Sequence, residues 1–175
     1  YFLSDKPLTI FMDIDGPLNG PTTHMKRRME IKRECIDNFQ YLINKYEANV
    51  CWISAWRRSF NTKELFTLFS GAELRVPEKQ RLPNLPIPGE LDNFEDVRGP
   101  IIERYCKEHD IKLDEILIID DDRPVTLMDR WLNVHTFDGL NYSRTIEAER
   151  ILDGQPTTNR DMLGALIPGY SADDD

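Results

Sequence analysis

The feature that most constrains this chain is a short apolar run, residues 8–12, that stops at Asp13-Ile14-Asp15-Gly16-Pro17. An apolar stretch cut off by Gly and Pro reads as a buried strand ending at a turn. The event recurs. Residues 49–53 form a second β-rich run ending at Ser54, and residues 115–119 a third running into Asp120-Asp121-Asp122. Between them the apolar spacing is helical: Ile31, Cys35, Ile36, Phe39, Leu42 and Ile43 mark a helix over 28–46, and shorter helices are expected over 62–69 and 101–109. A short helix over 125–131, a fourth strand over 134–137 and a helix over 145–152 complete the expectation. Residues 17–25 read as loop. Residues 76–100 hold five prolines (Pro77, Pro83, Pro86, Pro88 and Pro100) and make irregular chain that is long for a plain connection.

Alternating strands and helices predict an α/β fold, a Rossmann-like three-layer α/β/α arrangement around a central parallel sheet. Ligands of such sheets bind beyond the carboxyl ends of the strands. Asp13, Asp15, Ser54, Asp120 and Asp121 all fall at that edge. Four carboxylates there would be costly without a cation. Mg²⁺ suits them, with its preference for hard oxygen donors and retained waters. A phosphate monoester is a natural anionic partner, because the metal screens carboxylate from phosphate and lets an aspartate attack phosphorus.

These residues resemble the motifs of the haloacid dehalogenase superfamily of phosphotransferases. The first motif is a strand followed by Asp-x-Asp-Gly, here Asp13-Ile14-Asp15-Gly16. The second is a Ser or Thr at the end of the next strand. Here it is Ser54, in Ser54-Ala55-Trp56-Arg57, similar to the Ser-x-Trp-Arg form of one branch. The third is a basic residue at a helix start, for which Arg98 is the candidate; Arg104, Lys107, Lys79 and Arg81 stay open. The fourth is the paired acids after a strand, Asp120-Asp121. Pro17 stands where Val or Thr is usual. The resemblance implies that Asp13 attacks phosphorus and forms an aspartyl-phosphate. Asp15 would protonate the leaving oxygen and then activate water. Ser54, Arg98 and Arg57 would hold the phosphoryl oxygens. Asp13, the backbone carbonyl of Asp15, and Asp121 would bind Mg²⁺, with Asp120 behind or through water; Asp122 leaves the register open.

Members with large caps carry them after the first or second motif. The short gaps here imply a capless or minimally capped enzyme with an open site, suited to phosphates on large molecules. The C-terminal half also resembles the phosphatase domain of polynucleotide kinase-phosphatases, through Glu95-Asp96-Val97-Arg98, Asp121-Asp122-Arg123-Pro124-Val125, Met128 and Trp131. That points to nucleic-acid 3′-phosphate ends or nucleotides. The net charge of −9 argues against a generally basic, non-specific nucleic-acid binder. Lys26, Arg27, Arg28, Lys32 and Arg33 form a local basic cluster, readable as a solvated helix face or as a grip on a nucleic-acid backbone. Other readings stay in view: a phosphatase of another macromolecule or metabolite, and a binding module that kept the fold without turnover. Ser54 alone could be a helix cap.

The 175 residues fit one domain, residues 1–160, with 161–175 as a partly disordered tail ending in Asp173 to Asp175. No apolar run approaches the roughly 18–20 residues of a membrane span, and no secretory signal is visible. Cys35, Cys51 and Cys106 lack metal-ligand spacing and read as reduced thiols of a cytoplasmic protein. The chain starts at Tyr1 rather than Met, which leaves a preceding segment open; the oligomeric state is not legible.

Overall fold

The computed structural model describes residues 7–19, 30–88, 97–134 and 138–155. The expected first strand, over 8–12, forms as β1 (Thr9–Met12), followed by α1 (Arg33–Tyr46), β2 (Asn49–Trp52), α2 (Thr62–Gly71), α3 (Arg98–Glu108), β3 (Ile116–Asp120), β4 (Trp131–Asn133) and α4 (Tyr142–Leu152). All four strands are parallel, in the order β2-β1-β3-β4. The chain leaves β1 toward β2 on one side and returns to β3 on the other. The switch point, where ligands of open parallel sheets bind, therefore lies at the carboxyl ends of β1 and β3.

Alternate strand residues face opposite layers, as the two-residue period requires. Ile10, Met12, Val50, Trp52, Leu117, Ile119 and Leu132 pack with Phe39, Leu42, Phe69 and Ile151 from α1, α2 and α4. Phe11, Cys51, Ile53, Ile116, Ile118 and Trp131 pack with Ile102, Tyr105 and Cys106 of α3. Trp52 is fully buried and stacks on Phe69 at 4.6 Å between ring centres. The three cysteines are buried and unbridged.

Several expectations are corrected. The fourth strand starts at Trp131 rather than 134, and only Met128–Arg130 coils before it, as a single 3₁₀ turn. Trp131 pairs with Ile118 of β3 in the sheet, and its indole nitrogen donates to the Asp120 carbonyl (3.1 Å); residues 135–137 lie outside the described set. α3 begins at Arg98, with Pro100 inside its first turn, where the missing N–H needs no partner. The proline-rich segment is partly tied down: Leu82 and Leu85 donate to Val50 and Trp52 of β2 (2.9 and 3.0 Å), covering that edge of the sheet.

Among the described residues, α1 is the only helix between β1 and β2, and no cap domain is formed. No described helix is long and apolar enough to cross a membrane. The tail beyond 155 and Lys26 to Arg28 lie outside the described residues. Arg33, from the same basic cluster, binds Asp37, Glu73 and the Ala72 carbonyl.

Candidate active site

Asp13 follows β1 directly, and its amide still bonds the Ile119 carbonyl of β3 (2.9 Å). It is therefore held as firmly as the strand. Asp120 ends β3, and Asp121 follows it. One carboxylate oxygen from each of Asp13, Asp120 and Asp121 lies within 4.8 Å of the others. Asp13 and Asp120 are buried, at 6% and 2% exposure. Burial, then the charges of Asp120 and Asp121, push the Asp13 carboxyl well above the usual carboxylate range; Arg98 pulls the other way. Burial also raises Asp120, with Arg98 again opposing.

Asp120 Oδ1 accepts from the Asp122 amide (3.0 Å). Its buried Oδ2 makes no hydrogen bond among the described residues, and Arg98 Nε stands 3.8 Å away. A buried carboxylate oxygen left this way, beside two more acids, fits a divalent cation with oxygen preference such as Mg²⁺. The Asp122 side chain faces solvent.

The turn after β1 depends on Gly16. Its φ is +105°, and an added Cβ would lie 2.9 Å from Asp121 Oδ2. Pro17 sits in this turn, where its carbonyl accepts from Leu140 N (2.8 Å). Asp15 is held at both oxygens. Asn19 Nδ2 donates to Oδ1 (2.7 Å), and Trp56 Nε1 donates to Oδ2 (3.1 Å). Asn19 Oδ1 in turn accepts from the Gly16 amide (2.9 Å). Trp56 stands in the Ser-x-Trp-Arg motif, but its bond to Asp15, across 41 positions, is not legible in the sequence, and Asn19 looks like one more loop residue.

Ser54 is fully buried, and its Oγ accepts from the Trp56 amide (3.2 Å), capping the 3₁₀ turn Ala55–Arg58. Capping uses a lone pair, so the hydroxyl hydrogen remains to donate elsewhere. Arg98 opens α3 with its side chain 14% exposed, against Asp120. Of the alternatives, Arg104 pairs with Glu108 in solvent, Arg81 donates to the Val76 carbonyl (2.8 Å), and Lys79 and Lys107 are exposed. Arg57, expected on phosphate, turns inward: it is buried and donates to the carbonyls of Ile53, Ser54, Leu85 and Pro86. A guanidinium fork engaged this way braces the chain after β2 against the proline-rich segment.

The start of α3 has no side-chain cap. The Gly99 amide donates instead to the Pro124 carbonyl (2.8 Å) of the loop after β3. A Cβ at Gly99 would lie 2.3 Å from that oxygen and 2.3 Å from Thr126 Oγ1. In the same loop Val125 and Leu127 adopt φ of +76° and +60°. The loop that carries Asp121 and the helix that carries Arg98 are thus locked together.

Residues 9–144 match the family described as HAD domain in Swiss Army Knife RNA repair proteins. No curated protein matches the chain. The match spans most of the 175 residues, and the chain belongs to this family of haloacid dehalogenase-type domains.

Proposed function

We propose that this member of the RNA-repair haloacid dehalogenase family is a Mg²⁺-dependent phosphomonoester hydrolase acting on nucleic-acid 3′-phosphate ends or nucleotides. The observation that carries the reading is the convergence of Asp13, Asp120 and Asp121 within 4.8 Å at the switch point of the sheet. Asp13, Asp121 and the Asp15 carbonyl would hold the metal, with Asp120 in support. When bound, Mg²⁺ draws phosphoryl charge away from the attacking carboxylate.

The protein's own groups account for the rest. Asp13 attacks phosphorus and forms an aspartyl-phosphate while the bond to the leaving oxygen breaks and Asp15 gives that oxygen a proton. Asp15 then takes a proton from water as the water attacks phosphorus, releasing phosphate and restoring Asp13. Ser54 and Arg98 hold the phosphoryl oxygens. The family's link to RNA repair, and the absence of a cap among the described residues, favour a polynucleotide end over a small metabolite.

The test is hydrolysis of p-nitrophenyl phosphate with and without Mg²⁺, beside Asp13→Asn. The expected result is metal-dependent turnover that falls by at least roughly 10³-fold in the variant. An inactive parent leaves the binding-module reading; a variant as active as the parent removes Asp13 as nucleophile. Among 3′-phosphorylated oligonucleotides, mononucleotides and phosphopeptides, the oligonucleotides or mononucleotides should show the highest kcat/KM. A preference for phosphopeptides contradicts the substrate assignment.

A further inference from the structure

Asp15 lies on a turn, where a carboxylate would ordinarily sample several rotamers in solvent. Here each of its oxygens meets a neutral donor, from Asn19 on one side and Trp56 on the other. The Trp56 ring is itself braced, with Phe60 and Phe69 at 6.3 and 6.4 Å between ring centres. Its backbone amide bonds Ser54 Oγ. One residue therefore ties the carboxylate after β1 to the hydroxyl after β2, and its own position is set by an aromatic core. Each donor occupies one lone pair on its oxygen, and a carboxylate has about four such sites. The pair thus fixes the plane of the carboxylate.

We propose that Trp56, through its indole N–H, is the positioning residue that aims Asp15 at the leaving oxygen for proton transfer. The inference rests on the phosphatase reading above. Its consequence is specific. Loss of the N–H impairs the one step in which Asp15 delivers a proton to the leaving group as the phosphorus–oxygen bond breaks. That step is needed when the leaving group is a poor one, such as a sugar hydroxyl, and far less when it is a nitrophenolate. A merely structural role would lower both reactions alike.

The experiment compares parent and Trp56→Phe, which keeps an aromatic ring on Phe60 and Phe69 and deletes the N–H. It reads kcat/KM on a nucleoside 3′-phosphate and on p-nitrophenyl phosphate. This parameter covers steps through loss of the leaving group and is blind to the later attack by water. The ratio of the two values does not depend on how much of the sample is folded. The expected result is a fall of roughly 10- to 100-fold on the nucleotide and less than about 3-fold on the aryl ester, since a misplaced general acid forfeits much of a 10²–10⁴-fold contribution. Asp15→Asn should shift the ratio in the same direction and further. If Trp56→Phe does not fold, the sulfur isostere of tryptophan at position 56, which keeps both rings and lacks the N–H, takes its place. Equal losses on the two substrates, or no loss, overturn the inference and leave the phosphatase reading intact. A parent inactive on both overturns the two together.

Discussion

The two loops that build the site solve the same problem by different means. The turn after β1 must bend sharply beside a carboxylate, and it does so with a glycine at φ +105° and with Asn19 four residues from the aspartate it holds. The loop after β3 bends as sharply without a glycine: Val125 and Leu127 take positive φ, and Val125 is 57% exposed. What holds it is remote, the bond from Gly99 on α3 and the close approach that only a residue without Cβ permits. The first loop carries the residues that bend it, Gly16 and Asn19, in its own sequence, and Trp56 and Leu140 add bonds from outside. The second borrows its conformation from a helix, and in return places that helix's Arg98 against Asp120.

The contrast predicts where each loop breaks. Gly99→Ala should be the most damaging, because one of the atoms it meets at 2.3 Å is a backbone carbonyl that cannot rotate away. A loss of about 3 kcal/mol is expected in chemical denaturation, with kcat/KM lowered as Arg98 shifts. Gly16→Ala should cost less stability, about 2 kcal/mol from backbone strain, since the atom it meets is the end of a side chain. That side chain is the Asp121 carboxylate, so affinity for Mg²⁺, read by titration of the metal against activity, should fall as well. An alanine variant with unchanged stability at 99 and lost stability at 16 would reverse the comparison.

Where the loops meet, pH should report on the buried acids. The carboxyls of Asp13 and Asp120 are raised in the folded chain, so folding binds protons that the unfolded chain has released. Their contribution to stability is present below the ordinary carboxylate range, about pH 4, and is lost as pH rises through the raised values, about 7 for Asp120. Metal-free protein should therefore lose stability from this pair between about pH 5 and about pH 8, read as a falling Tm. Added Mg²⁺ should raise Tm more at the higher pH, because it binds the ionised acids. The smallest effect has the opposite sign. Val125→Gly relieves about 1–3 kcal/mol of strain against a glycine entropy cost of about 0.5–1 kcal/mol, a net of about 0–2.5 kcal/mol, so Tm should rise.

The same contrast explains what could be read in the sequence. Strands β1, β2 and β3 were legible because each apolar run stops abruptly at a polar residue, and that stop also marks Asp13, Ser54 and Asp120. The parallel three-layer fold followed from the alternation. β4 was misplaced because Val134 to Phe137 has the stronger strand composition, whereas the sheet selects Trp131–Asn133, the segment whose indole reaches the Asp120 carbonyl. Apolar spacing alone set the start of α3 three residues late, at 101, because a Gly-Pro pair reads as a breaker and the Gly99 amide finds its partner in the Pro124 carbonyl, distant in sequence, whereas the motif resemblance already put Arg98 at a helix start. Arg57 illustrates the same limit: a guanidinium beside Ser54 suggests phosphate, and only the fold brings the Leu85 and Pro86 carbonyls to it. Local chemistry was readable, and pairings across tens of residues were not.

The central claim is covalent attack by Asp13, and trapping the phosphorylated protein tests it most directly. Parent protein is mixed with Mg²⁺ and p-nitrophenyl phosphate, quenched in acid within a turnover, digested and analysed by mass spectrometry. The expected result is a phosphoryl group on the peptide bearing Asp13, absent in Asp13→Asn. Turnover by the parent with no phosphoryl group at Asp13 at any quench time, together with turnover undiminished in Asp13→Asn, would contradict it.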